Sequence, residues 1–141
     1  MNTMGIRLSD EIKALFRGPN FAHLATLMAD GSPQAAPVWV DLEGDNILVG
    51  TGEGTLKAKN TRRDPRVALS IVAQDNPYKE AQIRGRVVER RHDGTLEHMD
   101  RVSHRYTGKP FPWRDTAGRV TLVIEPERAR YAALPFTHAP A

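Results

Sequence analysis

Phe21-Ala-His-Leu-Ala-Thr-Leu-Met-Ala-Asp-Gly-Ser-Pro-Gln-Ala-Ala-Pro-Val-Trp-Val-Asp-Leu42 is the stretch on which the fold turns. Phe21–Met28 is a short apolar run suited to a buried strand, and Asp30-Gly31 is a hairpin signal. Gln34–Leu42 then reads as the returning strand, with Val38, Trp39 and Val40 at its centre. Pro37 lacks an N–H, so that strand is expected at an edge, at a bulge, or with this position turned to a ligand. Glu43-Gly44-Asp45-Asn46 makes the next turn and Ile47-Leu-Val49 a third strand, which predicts a three-stranded meander.

Upstream, Leu8, Ile12, Leu15 and Phe16 recur at helical spacing. Ser9 is placed to cap, Asp10 and Glu11 sit in the first turn, and Gly18-Pro19 stops the helix. Downstream, Val67–Ala73 is a strand and Gln74-Asp-Asn-Pro77 a break. Ala81, Ile83, Gly85 and Val87 then alternate with polar neighbours. Leu96, Met99, Val102, Ser103 and Tyr106 trace one face of a helix that Gly108 can close. Lys109-Pro-Phe-Pro-Trp113 is a stiff aromatic loop. Val120, Leu122 and Ile124 mark a strand that Pro126 is expected to interrupt, and Ala129, Tyr131 and Ala133 alternate after it. Roughly six or seven hairpin-linked strands and three helices predict a mainly β chain. The expected form is an antiparallel closed or split barrel with peripheral α-helices, and one domain over residues 1–141.

Between the third strand and Val67 lies the chemically richest segment. Gly50-Thr-Gly-Glu-Gly-Thr55 is a Gly-rich turn, and Lys57, Lys59, Arg62, Arg63 and Arg66 put five cations into the ten positions 57–66. Asp64-Pro65 ends the short helix this predicts. Such a segment gathers backbone N–H groups, a Thr hydroxyl and ammonium groups as a phosphate requires. It reads equally as a solvated basic helix face.

The remaining composition bounds the function. The chain has 141 residues, 40% hydrophobic and 26% charged, with a formal net charge of +3 and no cysteine. Disulfides and thiolate metal sites are excluded. Met1–Arg7 has no apolar signal core, and no apolar run spans a bilayer, so the expected setting is cytoplasmic, with no membrane partner. The cations are concentrated rather than spread and lack interleaved aromatics, which argues against nucleic acid. Five histidines show no metal spacing. His23 reads as a buried strand histidine, and His98 and His104 as the outer side of the third helix. Asp41, Glu43 and Asp45 read as solvated turn carboxylates. Neither a nucleophile elbow nor an acid–base pair is evident, so catalytic residues stay unassigned. Any enzyme here would position a cofactor that does the hard chemistry. Trp39 is either a core side chain or a ring wall, and Trp113 is placed to cover a planar ligand or a partner subunit.

Three segments together resemble the flavin/deazaflavin split-barrel proteins related to pyridoxamine 5′-phosphate oxidase, within them the coenzyme F420-dependent branch. They are Phe21–Leu27, Asp30–Val40, and Thr51 with Lys57-Ala-Lys-Asn-Thr-Arg-Arg-Asp-Pro-Arg-Val67. Asp75–Tyr78, Ile83–Glu89 and His98–Gly108 continue the likeness, which runs from Leu8 to Leu134. The Lys-x-Lys-Asn-x-x-x-Asp-Pro stretch is its most specific part. The resemblance implies a split barrel of about six strands that forms a homodimer with cofactor grooves between subunits. It implies F420 as cofactor, with FMN as the alternative. By position it implies Lys57, Lys59 and Asn60 at the cofactor's phosphate, helped by Arg63 and Thr51. Val38 and Trp39 would line the ring, Asn76, Pro77 and Tyr78 would lie near it, and Trp113 would reach in from the partner. The implied activity is hydride transfer from F420H2 to a conjugated small-molecule substrate. An FMN oxidase or reductase, or a non-catalytic flavin or tetrapyrrole carrier, remains as the alternative.

Overall fold

The computed structural model describes residues 5–139, so the extreme N-terminus, whose lack of a signal core was noted above, lies mostly outside it. The elements run α1 (Asp10–Arg17), β1 (Ala22–Leu27), β2 (Pro33–Val38), β3 (Asp41–Glu43), β4 (Asn46–Gly52), α2 (Leu56–Arg63), β5 (Arg66–Ala73), β6 (Asn76–His92), α3 (Glu97–Thr107) and β7 (Arg119–Ala133). No helix among the described residues is long and apolar enough to cross a membrane.

The strands form one antiparallel seven-stranded sheet in the order β2-β1-β5-β6-β7-β4-β3. Its two edges, β2 and β3, are consecutive in the chain and joined only by Trp39 and Val40. Laid flat, the sheet would hold those edges about 29 Å apart, from six spacings of about 4.8 Å. The three peptide steps from Val38 to Asp41 reach at most about 11 Å. The sheet must therefore curl until its edges meet, and because β2 and β3 do not pair, the result is a barrel split at Trp39–Val40. The expected split barrel with peripheral helices is thus observed.

Two details correct the sequence reading. Gln34–Leu42 is not one strand, and β1–β4 are not a meander. They are two separate hairpins, β1–β2 and β3–β4, and β4 pairs onward with β7. Pro37 marks β2 as the edge strand it is, but nothing local places the break at Trp39, since Val38, Trp39 and Val40 all favour a strand; the split is imposed by closure. Pro126 does not interrupt β7 either. It sits opposite Gly85 at a register shift, where a missing N–H is harmless. A Cβ at Gly85 would lie 2.2 Å from the Glu125 carbonyl oxygen, so only glycine allows β6 and β7 to approach there.

Alternation places Leu24, Ile47, Val49, Leu69, Ile71, Ile83, Leu122 and Ile124 inside the barrel. The side chains of α1 complete that core with Ile12, Leu15 and Phe16. Ser9 caps α1 as the sequence predicts, accepting from the Ile12 N–H at 3.3 Å, and Gly18 ends it. Gly108 closes α3 with a positive φ of 76°. Its start is different: Leu96 stands at the N-cap position, and the buried Asp93 carboxylate accepts from the His98 and Met99 N–H groups in its place. A second, smaller cluster of Leu96, Met99 and Phe111 lies beneath α3, with Trp39 against it.

Candidate functional site

A cleft of about 460 Å³ opens where the split edge, the end of β4, the start of α2 and the loop after α3 converge. The Gly-rich turn decides its floor. Gly50 leaves room for Met99, whose Sδ a Cβ there would meet at 2.3 Å. Thr55 caps α2, its hydroxyl accepting from the Ala58 N–H at 3.3 Å and donating to the Gly52 carbonyl at 2.9 Å. Its one proton is thereby used, so the 2.9 Å contact with Thr51 has Thr51 as donor. Thr51 is a buried brace under the helix start. The Leu56 and Lys57 amides head α2 and have no intrahelical acceptor.

Two cations close this end. Lys57 lines the cleft, and so does Arg119, which β4–β7 pairing sets opposite Gly52. Burial, and secondarily the Arg119 charge, hold the Lys57 ammonium below its usual pKa. Burial also lowers the Arg119 guanidinium, a shift that Asp93 partly offsets. Arg119 Nε is buried with no hydrogen-bond partner, and neither cation forms an ion pair with a carboxylate among the described residues. Such a pair is electrostatically unfinished: an anion would relieve both repulsion and the orphaned donor.

The opposite walls are aromatic. Phe21, Trp39, Phe111 and Trp113 line the cleft with Pro37 and Val38. Trp39 meets Phe111 edge-on at 6.4 Å, and Phe111 meets Trp113 at 5.4 Å. Arg119 lies over the Phe111 ring at 4.9 Å. A slot with flat apolar walls and a cationic end suits a planar ligand carrying an anionic tail. Among the described residues no carboxylate or histidine lines it.

Of the residues singled out from sequence, the structure brings Val38, Trp39, Thr51, Lys57 and Trp113 into this cleft. It places the others elsewhere. Lys59 is exposed on another face of α2. Asn60 is buried and holds α2 to β1, donating to Thr26 Oγ1 at 2.9 Å while its Oδ1 accepts from Arg63 at 3.0 Å. Arg63 also donates to the Leu27 carbonyl at 2.7 Å. Asn76 accepts from the Tyr78 N–H at 3.1 Å, and Tyr78 packs against Phe136 at 5.3 Å. Pro77 lines a separate groove that meets the cleft only at Phe21.

Other expectations are overturned. His23 is exposed, because it falls on the outward face of β1. Asp41 is buried: Arg101 and Arg105 each donate to it at 3.0 Å, and they outweigh burial to hold its carboxyl below the usual range. The His98 ring is buried 3.7 Å from Asp41, and burial lowers its pKa. Two loop residues stand apart from these corrections: Phe111 is buried, and Trp113, 71% exposed, lines the cleft, where it is placed to cover a planar ligand. Phe21, Phe111 and Arg119 had no local signal that marked them for this site.

Residues 8–133 match the pyridoxamine 5′-phosphate oxidase family. Among solved structures the chain is similar to an F420 reductase, 31% identical, with a TM-score of 0.78 over 84% of this chain and 94% of the other. It is similar to a conserved hypothetical protein from Mycobacterium tuberculosis, 25% identical, with a TM-score of 0.73 over 100% of this chain and 98% of the other. It shares the fold of General Stress Protein 26 from Bacillus anthracis, 18% identical, with a TM-score of 0.68 over 87% of this chain and 92% of the other. With the match running from the residue before the α1 cap to the last residue of β7, the chain belongs to the pyridoxamine 5′-phosphate oxidase family.

Proposed function

We propose that this protein is an F420H2-dependent reductase that passes a hydride to a conjugated organic substrate. The observation that carries the reading is the Lys57–Arg119 pair at one end of an aromatic cleft, where two partly buried cations have no carboxylate partner among the described residues. The residues fit a phosphate-bearing flat cofactor. Lys57, Arg119 and the free amides at the head of α2 would hold the phosphate, and Val38 and Trp39 would bear on the ring. When bound, a reduced deazaflavin supplies a hydride and reacts poorly with oxygen. The apolar walls bear on the ring faces, and the proton comes from solvent, because no acid among the described residues lines the cleft. Similarity to an F420 reductase supports this cofactor over FMN.

The cleft lies open beside Trp113 and the half-exposed Phe21, which supports a homodimer with the cofactor at the subunit interface. The absence of an acid–base group in the cleft also fits a non-catalytic carrier. Incubation with F420H2 and a panel of quinones, enones and tetrapyrroles tests the proposal. Loss of cofactor absorbance without oxygen uptake supports the reductase. Tight binding without turnover supports the carrier, and oxygen-consuming turnover with FMN alone supports an oxidase.

A further inference from the structure

The two residues that join the edges of the split barrel belong to no strand, yet one of them, Trp39, forms a wall of the cleft. Without a ladder to hold it, that segment depends on α3. The Tyr106 ring stacks on Trp39, with centroids 5.1 Å apart and planes inclined by 15°. The Tyr106 hydroxyl accepts from the Val40 N–H at 3.0 Å and donates to the Asn20 carbonyl at 2.6 Å. Arg105 donates to the Val40 carbonyl. Arg105 and Arg101 together grip the Asp41 carboxylate. Both backbone polar groups of Val40 are thus satisfied by side chains of α3. Asn20 is itself fixed: its side chain donates to the Leu15 carbonyl at 2.8 Å and accepts from the Gln74 N–H at 2.8 Å. Burial raises the Tyr106 pKa, so its hydroxyl keeps its proton throughout the working pH range. Tyr106 does not line the cleft itself.

We infer that Tyr106 is a positioning residue, which fixes the plane of the Trp39 indole through its ring and the path of Trp39–Val40 through its hydroxyl. It thereby sets the wall against which a flat ring ligand lies. The use of that wall rests on the cofactor reading above; the coupling of Tyr106 to Trp39 does not, and it is measurable without ligand.

The chain has two tryptophans, so Trp113→Phe leaves Trp39 as the sole indole, which excitation at the red edge of its band selects over tyrosine. In that background, acrylamide quenching and anisotropy decay report on Trp39 in the ligand-free protein. Affinity for F420 and FMN is then measured on the same variants. Tyr106→Phe keeps the ring and orphans the Val40 N–H; the quenching constant should rise and affinity fall by about threefold. Tyr106→Leu also removes the stack, and the loss should reach about tenfold. Leu8→Ala, a core truncation remote from the cleft, lowers the melting temperature and should leave both readouts unchanged below it. Unchanged quenching in Tyr106→Phe and Tyr106→Leu, or equal changes in Leu8→Ala, overturns the assignment. If the parent protein binds neither cofactor while Trp39 responds as expected, the cofactor reading fails and the positioning role stands. If it binds a cofactor and both Tyr106 variants bind equally well, the positioning role fails alone.

Discussion

Arg119 stands close enough to Lys57 to add to the lowering of its ammonium pKa by burial, and no carboxylate among the described residues pairs with either. A site arranged this way is strained when empty and relieved by an anion. Lys57→Ala should therefore weaken binding of a phosphate-bearing cofactor by about 1.5–3 kcal/mol, as for a lost charge-assisted hydrogen bond. Arg119→Ala should act similarly. Arg91→Ala, a cation engaged with Glu43 and Glu89 outside the cleft, should do little. Isothermal titration of the three variants checks this.

The same strain gives an opposite effect on the empty protein. Lys57 has a lowered folded pKa, so its charged form costs folding free energy at neutral pH, and that cost fades as pH rises through the lowered value toward the unfolded one. Lys57→Met should raise the ligand-free melting temperature at pH 7 and forfeit most of the stabilisation that added cofactor confers. Differential scanning fluorimetry with and without cofactor reads both.

Where α3 meets β3, His98 and Asp41 set the response to acid in separate windows. Burial holds the folded His98 pKa below its unfolded value near 6.5. Stability is thus intact above that value and falls with pH below it, and His98→Gln should flatten the slope that begins just below about pH 6.5. Asp41 adds stability that is present above about pH 4 and lost as pH falls through its lowered folded value. Asp41→Asn should cost about 2–4 kcal/mol at pH 7, because Arg101 and Arg105 lose their counter-charge, and less below pH 4. Urea unfolding at stepped pH measures both.

Gly85→Ala should destabilise by about 3 kcal/mol, since its Cβ would meet backbone that has no room to yield. Gly31→Ala, where nothing lies within 4 Å and only the positive φ of 86° resists, should cost less. Thermal melts of the pair separate close approach from turn strain.

Ring placement and phosphate binding should separate kinetically. Trp39→Ala should lower turnover at saturating cofactor more than Lys57→Ala does. The ring wall acts as hydride leaves, whereas the loss of uniform phosphate binding is restored by saturation. Steady-state cofactor oxidation at several cofactor concentrations distinguishes the two.

Local signals carried α1, α2 and the end of α3, because Ser9, Thr55, Asp64-Pro65 and Gly108 act within a turn of their helices. They did not carry the break at Trp39, which exists only because a seven-stranded sheet closes on a two-residue link. The cleft divides in the same way. Thr51 and Lys57 are near in sequence to the Gly-rich turn and near in space to one another. Arg119 arrives at Gly52 through β4–β7 pairing and has no sequence neighbour to announce it. Asn60 sits in the same basic run, but helical rotation turns it inward to Thr26. Asp41 and His98 gave no sign of burial because each is hidden by the other's element.

The most direct test of the central claim is equilibrium titration of wild type and Lys57→Ala with F420 and with FMN, each followed by passage through a desalting column. The account predicts that wild type retains F420 in preference to FMN, and that Lys57→Ala loses about tenfold or more of that affinity. Preferential retention of FMN, or F420 affinity untouched by Lys57→Ala, would contradict it.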